Sequence, residues 1–209
     1  MTDVDARALD ALALGAATLG ESGARRMHPR VKPAWTGARV AGPAFPVRCS
    51  PGDNLAIHVA VTRAPEHSIL VADMSGERDF GYWGEVLTTA AETRGIAGLV
   101  IDACVRDADA LAAHGFPVFS TGLALTGASK TQPGAIDSPV NVGDVTVEPG
   151  DWIVADVDGV VVLPHSQLDA VFMAGHARAE KEAALFDALR AGGTTVDQLG
   201  LDTSLVEGA

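Results

Sequence analysis

The sequence predicts an α/β protein with mixed sheets: parallel strands between helices through the middle, antiparallel hairpins in the C-terminal half, and helices outside. Three observations carry this expectation. Apolar runs such as Ile69-Leu70-Val71-Ala72 and Gly98-Leu99-Val100-Ile101 are hydrophobic on both faces, as strands covered on both sides must be, and segments of helical period follow them. After residue 145, valine-rich runs are separated by the tight-turn sequences Glu148-Pro149-Gly150-Asp151 and Val157-Asp158-Gly159. The chain has 209 residues, 47% of them apolar, enough for one sizeable core, so a single domain over residues 1–209 is expected.

The Ala- and Leu-rich N-terminus has helical spacing, and Gly20 to Gly23 break it before the connection His28-Pro29-Arg30-Val31-Lys32-Pro33. From Val40 to Val61, Pro43, Pro46 and Pro51-Gly52-Asp53 cut the pattern into a strand, a turn and a further segment from Asn54, with His58 in a strand-like run. Ser68 to Asp73 reads as a buried strand. Gly84 to Arg94 reads as a helix with Val86, Leu87, Ala90 and Ala91 at helical spacing and Gly95 as its stop. Ile96 to Ile101 is the next strand, Asp107 to His114 a short helix stopped by Gly115, and Phe116 to Ser120 another strand. Val145 to Val147, Trp152 to Asp156 and Val160 to Leu163 read as successive antiparallel hairpin strands, with Asp156 and Asp158 as turn formers. The last helix, residues 166–191, opens with Ser166 as N-cap and stops at Gly192-Gly193. Its apolar stripe runs through Leu168, Val171, Phe172, Gly175, Leu185, Phe186 and Leu189, and the spacing also lands on Glu182. That carboxylate either pairs with Arg178 four residues back or points into a subunit interface.

The formal charge of −12, with only 15 scattered Lys and Arg, argues against a nucleic-acid groove, which needs clustered cations. No apolar run reaches the ~18 residues of a membrane span, and acidic residues stand where a secretory signal carries basic ones, so a cytoplasmic protein is expected. Cys49 and Cys104 form neither a disulfide framework nor a metal-spaced cluster and read as reduced core residues. The six histidines lack ligand spacing, and His58 reads as a satisfied core residue. Gly76, Gly81 and Gly84 make no dinucleotide fingerprint, and no phosphate loop or Gly-x-Ser-x-Gly elbow occurs. Lys32, Lys130 and Lys181 offer no supported Schiff-base position.

Two places can carry chemistry. Glu85 lies in the first turn of a helix after a glycine-containing loop, where it either complements the helix dipole or flanks an anion site made by the N–H groups of Val86 and Leu87. Arg106-Asp107 closely follows the strand Leu99 to Ile101, where α/β sheets place their crevice. It is either an exposed ion pair or a hard oxygen ligand beside a planar guanidinium that grips a carboxylate or keto oxygen.

The spacing Glu85, twenty residues, Arg106-Asp107 resembles the acidic-x20-Arg-Asp motif of the 4-hydroxy-4-methyl-2-oxoglutarate/4-carboxy-4-hydroxy-2-oxoadipate aldolases, class II pyruvate aldolases of the RraA-like family. The resemblance extends over most of the chain, through Lys32-Pro33, Ala41-Gly42-Pro43-Ala44, Gly52-Asp53-Asn54-Leu55, Trp83-Gly84-Glu85, Arg94-Gly95, Gly115-Phe116-Pro117-Val118-Phe119, Pro149-Gly150-Asp151 and Asp156-Val157-Asp158-Gly159-Val160. It implies an α/β/β/α sandwich of the swivelling β/β/α type, assembled as a trimer or a dimer of trimers with sites between subunits. The last helix, 166–191, would then pack at a subunit interface.

The implied cofactor is Mg²⁺ or Mn²⁺, held directly by Asp107 and through water by Glu85 and by Glu182, or Glu180, of an adjacent subunit. The resemblance further implies that Arg106 binds the keto oxygen, that Gly84, Val86 and Leu87 hold the substrate carboxylate, and that Asn54 orients the substrate. The implied activity is retro-aldol cleavage of a 4-hydroxy-2-keto dicarboxylic acid to pyruvate and a second keto acid, with oxaloacetate decarboxylation beside it. This chain departs in carrying Ala103-Cys104 after Asp102, where glycine is usual, and glutamate at 85, where aspartate is common. Two rival expectations are a non-catalytic regulator that binds a ribonuclease and a related metal-dependent keto-acid decarboxylase.

Overall fold

The structure, a computed structural model, describes residues 3–206 and 208. Its helices are α1 (Asp3–Glu21), α2 (Leu55–Arg63), α3 (Glu85–Glu92), α4 (Ala108–His114), α5 (Leu168–Arg190) and α6 (Thr195–Leu199). Its strands are β1 (Arg25–Arg26), β2 (Lys32–Pro33), β3 (Val40–Arg48), β4 (Ile69–Asp73), β5 (Gly98–Ile101), β6 (Cys104–Val105), β7 (Val118–Ser120), β8 (Gly122–Leu123), β9 (Ala135–Ile136), β10 (Val140–Val142), β11 (Val145–Val147), β12 (Trp152–Ala155) and β13 (Val160–Leu163).

One mixed sheet runs in the order β1-β13-β12-β3-β4-β5-β7-β2, with β9 added beside β3. The pairs β3·β4, β4·β5 and β5·β7 are parallel, whereas β12 is antiparallel to both β3 and β13. Side chains of successive residues in a strand face opposite ways, and that alternation sorts the apolar residues into three cores. Leu70, Leu99, Ile101 and Val118 face outward against α2, α3 and α4, with Ile57, Leu87 and Leu111 in the same cluster. Their neighbours Ile69, Val71, Val100 and Phe119 face inward and meet Ile153, Ala155, Val160 and Val162 of the antiparallel half. Trp152, Val154, Val161 and Leu163 face outward on the far side under α1 and α5, with Ala11, Leu19, Val171 and Phe172. The sheet therefore curls onto itself and is covered by helices on both outer faces, the expected α/β/β/α layering. Strands apolar on both sides are what this arrangement requires.

Four expectations about local structure need correction. The stretch cut by prolines is one nine-residue strand, β3, whose first part pairs with β12 and whose second part pairs with β4. Ala44 donates its N–H to Asp151 O toward β12, so by alternation Pro46 would aim its missing donor to that side past the end of β12, and Pro43 toward β4 before that strand begins. The segment from Asn54 is a helix, α2, and His58 lies on it. Val145–Val147 pairs with Val140–Val142 in a separate hairpin rather than with Trp152–Ala155. The last helix begins at Leu168 after a 3₁₀ turn at His165–Gln167, with Gln167, not Ser166, at the N-cap position and no side-chain cap.

The N-terminal helix holds a break that its Ala/Leu pattern hid. Gly15 has φ 80° and ψ 160°, and the N–H of Ala16 donates to Asp156 Oδ2 at 2.8 Å, so the second half of α1 is capped from the end of β12. Oδ1 of the same residue accepts Asp158 N–H, which makes the expected turn. Replacing Asp156 by alanine is expected to cost ~1 kcal/mol in urea denaturation, whereas asparagine, which retains an acceptor oxygen, should stay closer to wild type.

Candidate active site

Parallel strands β4, β5 and β7 end on one edge of the sheet, and the segments that follow β4 and β5 bring the motif together there. The β4–α3 segment is anchored by two fully buried aromatic rings. Trp83 stacks on Phe116 at 5.8 Å between centroids and donates from Nε1 to Thr88 Oγ1 at 2.7 Å. Tyr82 donates its hydroxyl to Glu77 O and accepts the N–H of Gly52. Its carbonyl accepts Asn54 Nδ2 at 2.7 Å, and the carbonyl of Trp83 accepts Arg106 N–H at 2.8 Å.

On this support Glu85 and Arg106-Asp107 meet. Asp107 precedes α4 with φ 60° and ψ 38°, a left-handed conformation that costs a non-glycine residue about 1 kcal/mol or more. Its Oδ2 accepts the backbone N–H of Glu85 at 3.1 Å and lies 3.6 Å from Arg106 Nε. Asp107 thus closes the N-terminus of α3, whose own N-cap residue, Gly84, has no side chain to do so. Thr88 N–H bonds back to Gly84 O, which leaves the N–H groups of Val86 and Leu87 in the first turn without intrahelical acceptors. Glu85, Arg106 and Asp107 are all partly exposed, so the edge is open to a ligand.

The space for Arg106 comes from glycines. A Cβ at Gly84 would lie 2.3 Å from Asp107 Oδ2 and 3.0 Å from Arg106 Cγ, and one at Gly81 would lie 2.5 Å from Ala124 O and 3.2 Å from Arg106 Cβ. Gly127 flanks Arg106 Nη1, and Gly81 pairs with Gly127 in an isolated bridge. Gly84 is expected from the sequence only as part of the substrate-carboxylate site; its role as a wall of this slot, together with Gly81 and Gly127, emerges from the structure. Close spacing of Gly81 and Gly84 was the available signal; nothing local marks Gly127.

A second unforeseen feature is the clamp on Asp102. Its carboxylate accepts Arg30 Nε and Nη2, each at 2.8 Å, Arg78 Nε and Nη2 at 2.9 and 3.1 Å, and Gly143 N–H at 3.3 Å. Asp144 takes the other side of Arg30. Burial works to raise the Asp102 carboxyl, but the two guanidinium groups overcome it and hold the group well below the ordinary carboxylate range. Arg78 belongs to the segment leading to Glu85, and Asp102 to the one leading to Arg106, so the clamp ties both halves of the motif together.

Asn54 and Asp53 sit beneath the same segment. Asn54 is buried and holds Tyr82 O, while its Oδ1 has no hydrogen-bond partner among the described residues. His58, one turn further along α2, is half-buried and its Nε2 is likewise without a partner, contrary to a satisfied core residue. Burial, followed by the charge of Lys130, lowers its pKa. Asp53 is buried and accepts the N–H groups of Leu55, Thr131 and Gln132 and the hydroxyl of Ser129. Burial alone would raise its carboxyl, yet those four donors bring it down to about 2. A carboxyl so depressed stabilises the fold above its unfolded pKa of ~3.9, and that contribution disappears as pH falls from there through about 2. Melting curves of wild type and Asp53→Asn are expected to differ by a constant amount above pH ~4 and to converge toward pH ~2.

The remaining candidates lie elsewhere. Glu182 pairs with Arg178 at 2.9 Å, and Arg178 also pairs with Glu21. Helix α5 packs chiefly on α1 and α6, and among the described residues the ion pair of Glu182 is with Arg178 and not with the motif. Glu180 is on the same helix. Cys49 is buried, as expected of a core thiol, whereas Cys104 is only half-buried, with Sγ 3.8 Å from Thr121 Oγ1. Among the described residues no helix is long and apolar enough to cross a membrane.

The chain is similar to known proteins in sequence and in fold. A family model described as "RraA-like: Aldolase/RraA" matches residues 5–162. A Halalkalibacterium halodurans protein named "Putative 4-hydroxy-4-methyl-2-oxoglutarate aldolase" is 37% identical over 149 residues, 71% of each chain. A solved structure of an uncharacterized protein from Pseudomonas syringae pv. tomato superposes with a TM-score of 0.83 at 27% identity, covering 95% of this chain and 94% of that one. Streptomyces coelicolor RraAS2, titled an unusual member of the RNase ES inhibitor RraA protein family, superposes at 0.69 with 30% identity over 85% of this chain and 92% of its own. With its motif assembled at one sheet edge and its sequence matched from residue 5 to residue 162, this chain belongs to the RraA-like family.

Proposed function

We propose that the protein is a metal-dependent lyase that splits a 4-hydroxy-2-keto dicarboxylic acid of the 4-hydroxy-4-methyl-2-oxoglutarate type into pyruvate and a second keto acid, and decarboxylates oxaloacetate. The observation that supports this reading is the hydrogen bond from Glu85 N–H to Asp107 Oδ2, which joins the start of α3 to the Arg106-Asp107 pair at an exposed edge of the sheet.

The donor set fits Mg²⁺ or Mn²⁺. No group of three or more His, Cys, Asp or Glu among the described residues could cage a metal, and Mg²⁺ characteristically needs only one or two carboxylates because it keeps most of its waters. Asp107 would hold it directly, since the contacts above take Oδ2 and leave Oδ1 free of hydrogen bonds from the described residues; Glu85 would hold it through water. Bound there, the cation supplies positive charge beside the keto and carboxylate oxygens of the substrate.

The protein's own groups do the rest. Val86 and Leu87 offer N–H groups, beside Gly84, to the substrate carboxylate at the positive end of α3. Arg106 donates to the keto oxygen as it gains negative charge. Glu85 is the carboxylate toward which the proton of the 4-hydroxyl moves as the bond between carbons 3 and 4 breaks and its electron pair stays with the pyruvate portion. Asn54 Oδ1, buried and unengaged, suits a substrate hydroxyl. The arm of α5 beyond Gly175 adds no buried residue to the core and exposes Phe186, which suits packing of 166–191 against another copy in a trimer or dimer of trimers, with Glu182 reaching a neighbour's site. A cytoplasmic location accords with this chemistry.

Release of pyruvate from oxaloacetate and 4-hydroxy-4-methyl-2-oxoglutarate, followed with coupled lactate dehydrogenase, should require Mg²⁺ or Mn²⁺ and stop after exhaustive chelation. Undiminished release in chelator refutes the metal requirement. The similarity to RraAS2 and the charge of −12 favour one second reading, a regulator that binds a basic ribonuclease segment. Failure to turn over a panel of keto acids, combined with ribonuclease binding, would select it.

A further inference from the structure

The most pointed contact with the site from outside the motif comes from the far end of α4. His114 Nδ1 lies 2.9 Å from Glu92 Oε2, and Nε2 lies 3.7 Å from Glu85 Oε1. Glu85 and Glu92 are two turns apart on α3 and so share a face, and the imidazole fills the seam between α3 and α4 along that face. The His114 side chain is 25% exposed and that of Glu85 59%, so the stiffer, more enclosed group is the histidine. It is the last residue of α4, whose end is fixed by Gly115 at φ 71° donating its N–H to Ala112 O. Asp107, at the other end of the same helix, accepts the Glu85 N–H. Helix α4 therefore faces Glu85 twice, at the backbone through Asp107 and at the carboxylate through His114.

We propose that His114 is a positioning residue for Glu85: held by Glu92, it keeps the Glu85 carboxylate against the α3–α4 seam and so fixes the direction from which Glu85 addresses a cation at Asp107. The proposal rests on the metal-dependent reading above. A mobile glutamate must surrender rotamer freedom when it is recruited, and a neighbour that has already restricted it removes part of that cost. Partners that orient metal-binding side chains from behind typically change metal affinity or activity by ~10- to 100-fold.

The test is Mn²⁺ binding, followed by electron paramagnetic resonance, together with pyruvate release, in wild type, H114A, H114Q, H114F, E85Q and the double variant E85Q/H114A. H114A should weaken Mn²⁺ binding about 10-fold, and H114F, which keeps the ring volume but cannot donate, should do the same even if H114A folds poorly. H114Q, whose amide can donate to Glu85, should recover part of the loss. In the E85Q background H114A should cause no further weakening, because the histidine acts through that carboxylate. Wild-type affinity in H114A and H114F, or an equal loss with and without Glu85, overturns the proposal. Wild-type protein that binds no Mn²⁺ and works in chelator overturns the metal-dependent reading and this inference with it, an outcome distinct from altered binding confined to the His114 variants.

Discussion

Arg106→Ala is expected to lower the rate of pyruvate release by about 10³-fold while leaving the melting temperature nearly unchanged. Among the described residues its ion pair is a long one, 3.6 Å to Asp107 Oδ2, and the side chain is partly exposed, so little of the fold rests on the guanidinium. The structural part of Arg106 is its backbone, which donates to Trp83 O and survives substitution. In the proposed mechanism, what is lost is a planar donor at the oxygen that becomes negative, and a donor of that kind contributes mainly in the transition state. Lysine should not restore it, because a point charge lacks the fork that the glycine slot is shaped to admit. Asp107→Ala should differ in kind: turnover falls, and Mn²⁺ affinity falls with it. Steady-state kinetics, melting curves and metal titration on the two variants separate these roles, and unaltered rates in both would refute the site.

Adding one methyl group at Gly84 should be nearly as damaging. Its backbone, at φ −163°, is extended and open to any residue, so the cost is purely steric. The new carbon would sit 2.3 Å from Asp107 Oδ2, 3.0 Å from Arg106 Cγ and 3.2 Å from Arg106 Nε. Both functional side chains must move, and a misplacement of ~1 Å is enough to cost about 10²-fold in rate. Trp83 and Tyr82 hold the segment independently, so Gly84→Ala should remain folded. A variant that is folded, slow and poor at binding Mn²⁺ is the expected result; wild-type kinetics would show that the carboxylate is not fixed where the chemistry needs it.

Both the layering and the meeting of Glu85 with Arg106-Asp107 were legible in the sequence, for physical reasons. Strands such as Ile69–Asp73 and Gly98–Ile101 are apolar on both faces, which only a doubly covered sheet explains. Each half of the motif follows one of these parallel strands, so both halves arrive at the same edge. Strand β3 was not legible as one element, because Pro43 and Pro46 read as breaks unless the ladder on each side is known. The kink at Gly15 was hidden because its capping group, Asp156, is 140 residues away from Ala16. Arg30, Arg78 and Asp144 carry no local sign that they converge on Asp102, and a glycine's value at 127 depends on a guanidinium it never neighbours in sequence.

The dual membership of β3 has a consequence for how the molecule comes apart. Val40 to Pro43 pair with one half of the sheet and Ala44 to Arg48 with the other, so no hinge lies between them: peeling either half away breaks the same backbone ladder and wets the apolar face of its mate. Amide hydrogens in β4 and in β12 should therefore exchange with solvent at matching free energies, as parts of one melting unit.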